Sequence, residues 1–137
     1  MRPIFADTCY WVALINRRDG LHALAQRFSS SSITEQVVTS ELVLVEFLNG
    51  VSSGGAFFRS SATQVVADLR ANSRVTICSL TSFSFAEISG LYRERTDKSW
   101  SFTDCSSFLI MHQLGIDAAL TEDKHFEQAG FRALLRQ

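Results

Sequence analysis

Residues 3–16 read Pro-Ile-Phe-Ala-Asp-Thr-Cys-Tyr-Trp-Val-Ala-Leu-Ile-Asn, and Asp7 is the only charge between Pro3 and Arg17. Pro3 is the sole proline of the chain, and proline suits the first residue of a strand. Residues 3–6 therefore predict a short buried strand, and the apolar stretch from Thr8 to Asn16 a helix. A carboxylate stands where the strand ends. Outward from there, Arg17-Arg18-Asp19-Gly20 is a polar break, Leu21 to Phe28 resumes helical spacing, and Ser29 to Ser32 reads as a loop. Gln36 to Thr39 (QVVT) is a β-branched strand. Glu41 to Val51 is apolar nearly all round, as a helix packed inside a domain would be. Ser52-Ser53-Gly54-Gly55 stops it, and residues 56–72 form an amphipathic helix. Val75 to Cys78 is a third strand, followed by helices over Thr81–Arg95 and Thr103–Leu114. Asp117 to Leu120 is a fourth strand, and Phe131 to Leu134 a short fifth.

Strands alternating with helices imply βαβ units. The expected architecture is an α/β fold of three layers, α/β/α, with a mostly parallel sheet of four to five strands. The length of 137 residues fits one domain, 1–137. In open sheets of this kind ligands bind beyond the carboxyl ends of the strands.

Bulk properties narrow the class. Hydrophobic residues make up 46% of the chain, with eleven Phe, so a filled core is expected and disorder is not. Lys plus Arg number 13 against 14 for Asp plus Glu, so any contact with nucleic acid must come from a local patch. Cys9, Cys78 and Cys105 form no C-x-x-C pair, which argues against a disulfide scaffold or zinc site and for a reducing cytoplasm. No uncharged stretch approaches the roughly 18–20 residues that span a bilayer. The N-terminal run lacks a small-residue cleavage signal and reads as the start of a soluble protein.

Asp19, Glu35, Asp68, Glu94, Asp97 and Glu127 lie among polar neighbours, as solvated acids do. Four acids do not. Asp7 follows the first strand; Glu46 interrupts the apolar helix; Asp104 stands between Phe102 and Cys105 at a helix start; Asp123 follows the fourth strand by three residues. Two carboxylates about 5 Å apart repel by roughly 3 kcal/mol at an effective dielectric near 20. Lys124 is the only cation adjacent to any of them. Either the four point to separate places or a cation from solution gathers them, and an all-oxygen site suits Mg²⁺ or Mn²⁺. Each acid also has a purely structural reading. Asp104 is the fourth residue of a possible capping box, Ser101-Phe102-Thr103-Asp104, Asp7 can cap its own helix, and Asp123 can be a turn residue. Glu46 is the hardest to explain in that way.

The four segments together resemble the PIN-domain family, and within it the VapC-type toxins of bacterial toxin–antitoxin pairs. Ile4-Phe5-Ala6-Asp7-Thr8 is similar to the family's apolar strand ending in Asp. Thr39-Ser40-Glu41-Leu42-Val43-Leu44-Val45-Glu46 resembles its Glu-bearing strand-to-helix segment. Ser99-Trp100-Ser101-Phe102-Thr103-Asp104-Cys105 resembles its third signature, and Leu120-Thr121-Glu122-Asp123-Lys124-His125-Phe126 its closing T-x-D-x-x-F segment. The segments come in the family's order and span residues 4–134.

The resemblance implies an Mg²⁺-dependent (Mn²⁺ possible) endoribonuclease, the toxin of a type II toxin–antitoxin system. It assigns Asp7, Glu46, Asp104 and Asp123 to the catalytic site. Asp7 and Asp104 are the direct metal ligands, Asp123 a ligand directly or through water, and Glu46 binds a second ion or positions and deprotonates the water. Thr8 and Thr103 are expected to hydrogen-bond the ligands, and Glu122, beside Asp123, is an open candidate. RNA is the implied substrate, a protein antitoxin and a second copy of the chain the implied partners, and the cytoplasm the implied location. Arg17, Arg18, Arg93, Arg95, Lys98 and Lys124 are candidates for phosphate contacts or ordinary surface charges. Trp100 is a candidate for base stacking, whereas Tyr10 and Trp11 belong to the core. His22, His112 and His125 lack ligand spacing; His125 draws notice only as a neighbour of Asp123. Val51 to Phe58 could form an apolar docking surface. The alternatives are a phosphatase or phosphorelay α/β domain, whose nucleophile motif wants a second Asp where Cys9 stands, and a non-catalytic PIN-like binding module, which predicts lost acids.

Overall fold

The computed structural model describes residues 2–31 and 36–136. Strand β1 (Ile4–Ala6) is followed by helices α1 (Thr8–Ile15) and α2 (His22–Ser31), then β2 (Val37–Ser40), α3 (Glu41–Gly50), α4 (Ala56–Ala71) and β3 (Val75–Cys78). Helices α5 (Ser82–Glu94) and α6 (Phe102–Leu114) lead to β4 (Ala118–Leu120), α7 (Lys124–Gln128) and β5 (Arg132–Ala133). The five strands pair in the order β3-β2-β1-β4-β5, and every pairing is parallel. The expected mostly parallel sheet is thus wholly parallel. Central β1 and β4 are buried at every residue, which is why their sequences are apolar without alternation.

Parallel crossovers are right-handed. Connections running from β1 through β2 to β3 therefore lay α1–α4 on one face, and those running back to β4 and β5 lay α5–α7 on the other. The contacts agree for most pairs, with α1 packing on α2, α3 and α4 and α6 on α5 and α7, while α3 also meets α6 from the opposite layer. The chain's direction across the sheet reverses between β1 and β4. Their carboxyl ends flank the crevice that such a reversal opens. The backbone N–H of Asp7 donates to the carbonyl of Leu120 at 3.2 Å, tying the two ends together.

Three local expectations need correction. Ser29–Ser31 continue α2 rather than forming a loop; the Ser31 hydroxyl donates back to the Phe28 carbonyl at 3.4 Å, the bond by which serine is accommodated at a helix end. Ser32 and Glu35 lie outside the described residues. The short helix α7 was not foreseen; Asp123 caps it, accepting from the backbone N–H of His125 at 2.8 Å. Helix α3 is not buried all round: Val43, Leu44 and Phe47 face the core, but Val45 and Glu46 are exposed.

Beneath the crevice, Thr39 pins β1 to its neighbours. Its fully buried hydroxyl donates to the Ala6 carbonyl at 2.9 Å and accepts from the Trp11 indole N–H at 3.4 Å. Thr39→Val keeps the shape but strands both partners, at a cost of about 1–3 kcal/mol. Urea unfolding should show that loss with an unchanged m-value, and Thr39→Ser should restore most of it; a neutral Thr39→Val would mean the bonds do not hold the strand end.

Candidate active site

Asp7 leaves β1 as the N-cap residue of α1, yet its side chain makes no capping bond, so the capping explanation fails. Instead Oδ2 accepts the Thr121 hydroxyl at 2.9 Å. A carboxylate only accepts, so the single Thr121 proton is committed to Asp7. The same Oγ1 then accepts from the Asp123 backbone N–H at 3.1 Å and from the Cys9 thiol at 3.6 Å. Burial and the Asp7 charge push the Cys9 thiol up to about 11, which keeps it a donor.

Asp104 does serve a capping box: its N–H donates to Ser101 Oγ and its Oδ2 accepts from the Ser101 N–H, both at 3.0 Å. The structural role does not exclude a chemical one. The same Oδ2 lies 2.9 Å from His125 Nδ1, which in turn is 3.5 Å from Asp123 Oδ1. Ligand atoms of Asp104, Asp123 and His125 all fall within 4.8 Å of one another.

Asp7 is the strained member of the group. Burial pushes its carboxyl up to about 6 against the opposing pull of the Thr8 backbone N–H and the Thr121 hydroxyl, and the charges of Asp104 and Glu46 push the same way. No Lys or Arg pairs with Asp7, Asp104 or Asp123 among the described residues. Glu46 lines the same open hollow as Asp7 and Asp123, with Lys124 and Arg136 also on its wall. It is solvent-exposed, so its place in α3 is not the buried anion the sequence suggested. Glu122 also lines the hollow and is exposed.

The donor set fits a hard divalent cation. Asp7, Asp104 and Asp123 each have one oxygen held by a protein hydrogen bond, on Oδ2, Oδ2 and Oδ1 respectively. This arrangement favours single-oxygen ligation, in keeping with the compact octahedral geometry of Mg²⁺. The Thr8 hydroxyl on the same wall is buried without a partner, a polar atom left for a hydrated ion to satisfy. The expectation holds in part: the Thr8 backbone N–H favours the charged form of Asp7, whereas no bond from the Thr8 or Thr103 hydroxyl to an acid is seen among the described residues, and Thr121, Ser101 and His125 do bond the acids. Thr121 was detectable as a polar residue ending a fully apolar strand two positions before Asp123.

Of the basic candidates only Lys124 reaches the hollow, joined by Arg136, which sequence reasoning passed over; Arg17, Arg18, Arg93 and Lys98 do not line it. Arg95 pairs with Asp97 and lies over the Trp100 ring at 4.6 Å. Trp100 is itself buried, donating to Gln128 Oε1 at 3.0 Å and packing edge-on against Phe108, so it is core rather than a base-stacking platform. Tyr10 and Trp11 are core, as expected.

The PIN domain profile matches residues 4–132, in keeping with a wholly parallel sheet that has Asp7, Glu46 and Asp123 on the wall of the hollow at its reversal and Asp104 beside Asp123. The chain belongs to the PIN-domain family. It is 30% identical over 128 residues to the 23S rRNA-specific endonuclease VapC20 in two strains of Mycobacterium tuberculosis, covering 93% of this chain and 95% of that protein. The crystal structure of M. tuberculosis VapC20, described as a sarcin–ricin loop cleaving toxin, superposes with a TM-score of 0.82 at 29% identity, over 93% and 95% of the two chains.

The pH response follows from Asp7. Its folded-state value near 6 lies above the 3.8 of an ordinary aspartate, so the folded protein binds the extra proton between them. In metal-free buffer, stability should therefore fall as pH rises from about 4 to about 6 and stay low above that, by up to about 3 kcal/mol. Asp7→Asn retains an acceptor for Thr121 and removes the charge. Urea unfolding in EDTA should find it more stable than the wild type at pH 7.5, without the Asp7 part of the slope; a destabilised Asp7→Asn would contradict this.

Proposed function

We propose that this chain is a metal-dependent endoribonuclease that hydrolyses RNA phosphodiesters at the Asp7 hollow. What supports the reading is Asp7, a buried carboxylate with no cationic partner among the described residues, which shares its hollow with Glu46 and Asp123, with Asp104 beside Asp123 and near enough for its charge to act on Asp7. A non-catalytic module would have no use for this costly arrangement. A phosphatase-type nucleophile is disfavoured by Cys9, whose protonated thiol stands where that motif wants an acid.

Asp7 and Asp104 are assigned as ligands of Mg²⁺ or Mn²⁺, with Asp123 completing the set directly or through water. Bound there, the ion would offset charge on the phosphoryl oxygens and lower the pKa of the attacking water. Thr121 fixes Asp7 and the start of α7 in one orientation. Glu46, exposed on the wall of the same hollow, would orient the water and take its proton. Lys124 and Arg136 hold the flanking phosphates; Arg136 is shared with Glu127 at 2.8 Å, so Lys124 is the freer cation.

The names of the relatives point to ribosomal RNA as the substrate to try first, and to a toxin whose partner is a protein antitoxin. Phe57 is exposed at the start of α4, whereas Val51 is buried and Phe58 is half-buried against Gly54, so Phe57 is the large apolar side chain that the anticipated Val51–Phe58 surface offers for docking. Phe83, Phe85 and Tyr92 on α5 and Leu114 at the end of α6 are exposed large apolar side chains, with Phe85 and Tyr92 together around Phe102, which supports a homodimer or an antitoxin contact. No described helix is long and apolar enough to cross a membrane, and a cytoplasmic location fits an enzyme acting on ribosomes.

Purified protein incubated with ribosomal and total RNA in Mg²⁺, Mn²⁺ or EDTA should yield metal-dependent ends at few positions, with 23S rRNA cut first. A metal ion is worth several kcal/mol of charge stabilisation, so Asp7→Asn and Asp104→Asn should each lower the rate by roughly 100-fold or more. Cleavage that survives EDTA, or that Asp7→Asn leaves intact, would overturn the proposal.

A further inference from the structure

Each metal-facing carboxylate has one oxygen tied to protein, but the ties differ in kind. Asp7 is held by a hydroxyl and Asp123 by a backbone N–H, whereas Asp104 Oδ2 takes two donors, the Ser101 N–H and the His125 ring. Both act on the same oxygen, which leaves Oδ1 without a donor among the described residues. Because the carboxylate can only accept, Nδ1 carries the ring proton. In the neutral ring Nε2 is then an acceptor, and the Ser99 hydroxyl lies 3.4 Å from it. The side chains of His125 and Asp104 are 18% and 13% exposed, so this bond is largely screened from competing water. His125 also supplies the backbone N–H that holds Asp123. One residue thus braces two acids that arrive from different elements, α6 and the β4–α7 junction.

Resting on the metal-site reading above, we propose that His125 is a positioning residue. Its Nδ1–H, with its tautomer favoured by Ser99, locks Asp104 so that Oδ1 alone is presented to the cation. The ring itself is not a ligand: Nδ1, the atom nearest the acids, is occupied by the proton it donates. A donor of this kind orients a ligand and reduces the freedom lost when the cation binds.

The test measures Mn²⁺ and Mg²⁺ binding to the purified full chain by calorimetry, without RNA. His125→Leu preserves bulk and removes the donor; His125→Asn places an amide N–H where Nδ1 stood. His125→Leu should weaken both ions about tenfold or more, and His125→Asn should restore most of the affinity. In cleavage assays the Leu variant should need correspondingly more metal for half-maximal rate and approach wild-type turnover at saturation. If His125→Leu does not fold by circular dichroism, His125→Ala replaces it. Wild-type binding by the Leu variant overturns the inference. So does a loss that Asn fails to rescue and that is larger for Mn²⁺ than for Mg²⁺, because it would make the ring a ligand. Asp7→Asn separates the two levels: if it binds Mn²⁺ as the wild type does, the metal-site reading fails; if it does not while His125→Leu does, only the role of His125 fails.

Discussion

The structure depends on keeping an aspartate at the end of its central strand, out of water and without a counter-charge. Asp7 lies between the ends of β1 and β4, and neither neighbour can supply a cation because both strands are buried and apolar. The surrounding architecture compensates only in part. The Thr121 hydroxyl and the Thr8 N–H favour the charged form, yet burial outweighs them and two further acids add to the imbalance. Such a group persists only where the remaining fold over-determines its position. Here that position is fixed by the Asp7–Leu120 backbone bond and by Thr39 beneath. The local conflict marks the place where stability has been given up for chemistry.

The acids are delivered by one structural device used more than once. Asp7 opens α1 and Asp104 occupies the first turn of α6, both at helix N-termini, where unpaired N–H groups and the helix dipole favour negative charge. Asp123 caps the short α7 in a similar way. These placements lower the cost of assembling the charges without neutralising them, so affinity for a cation survives. Glu46 is different. It lies in the middle of α3, exposed, and gains nothing from a helix end. This difference separates three acids held by hydrogen bonds from one exposed acid, the division that the proposed water-activating role of Glu46 would use.

Much of this was legible in the residues, for identifiable reasons. The strands read at 3–6 and 117–120 match β1 and β4 to within one residue because buried parallel strands need continuous apolar sequence, and half-buried β3 at 75–78 was legible from its β-branched residues. The four acids stood out because charge in apolar sequence is costly. The errors arose where side-chain direction, rather than residue type, decides. Glu46 looked buried because its neighbours are apolar, but Val43, Leu44 and Phe47 take the core face and turn it outward. Trp100 looked free because its neighbours are polar, yet Phe108 and Gln128, distant in sequence, enclose it. Thr121 was passed over, and His125 was favoured only as a neighbour of Asp123, because the bonds they make to Asp7 and Asp104 join residues far apart in sequence. Helix α7, five residues long, has too little periodicity to announce itself.

The charge balance bears on how substrate is chosen. A chain of net charge −1 with an acidic hollow repels a phosphodiester rather than attracting it. Lys124 and Arg136 are the cations on the wall, and Arg136 is already engaged by Glu127. Non-specific backbone binding is therefore weak, because that term grows with the number of phosphates neutralised. Were a cation held at this hollow as proposed, it and a phosphodiester would each raise the affinity for the other, as linkage requires. An enzyme of this design gains little from RNA in general. On the proposed reading, discrimination would come from RNA shape, in a fold that brings one phosphate into the hollow while holding the rest of the backbone away from the acids.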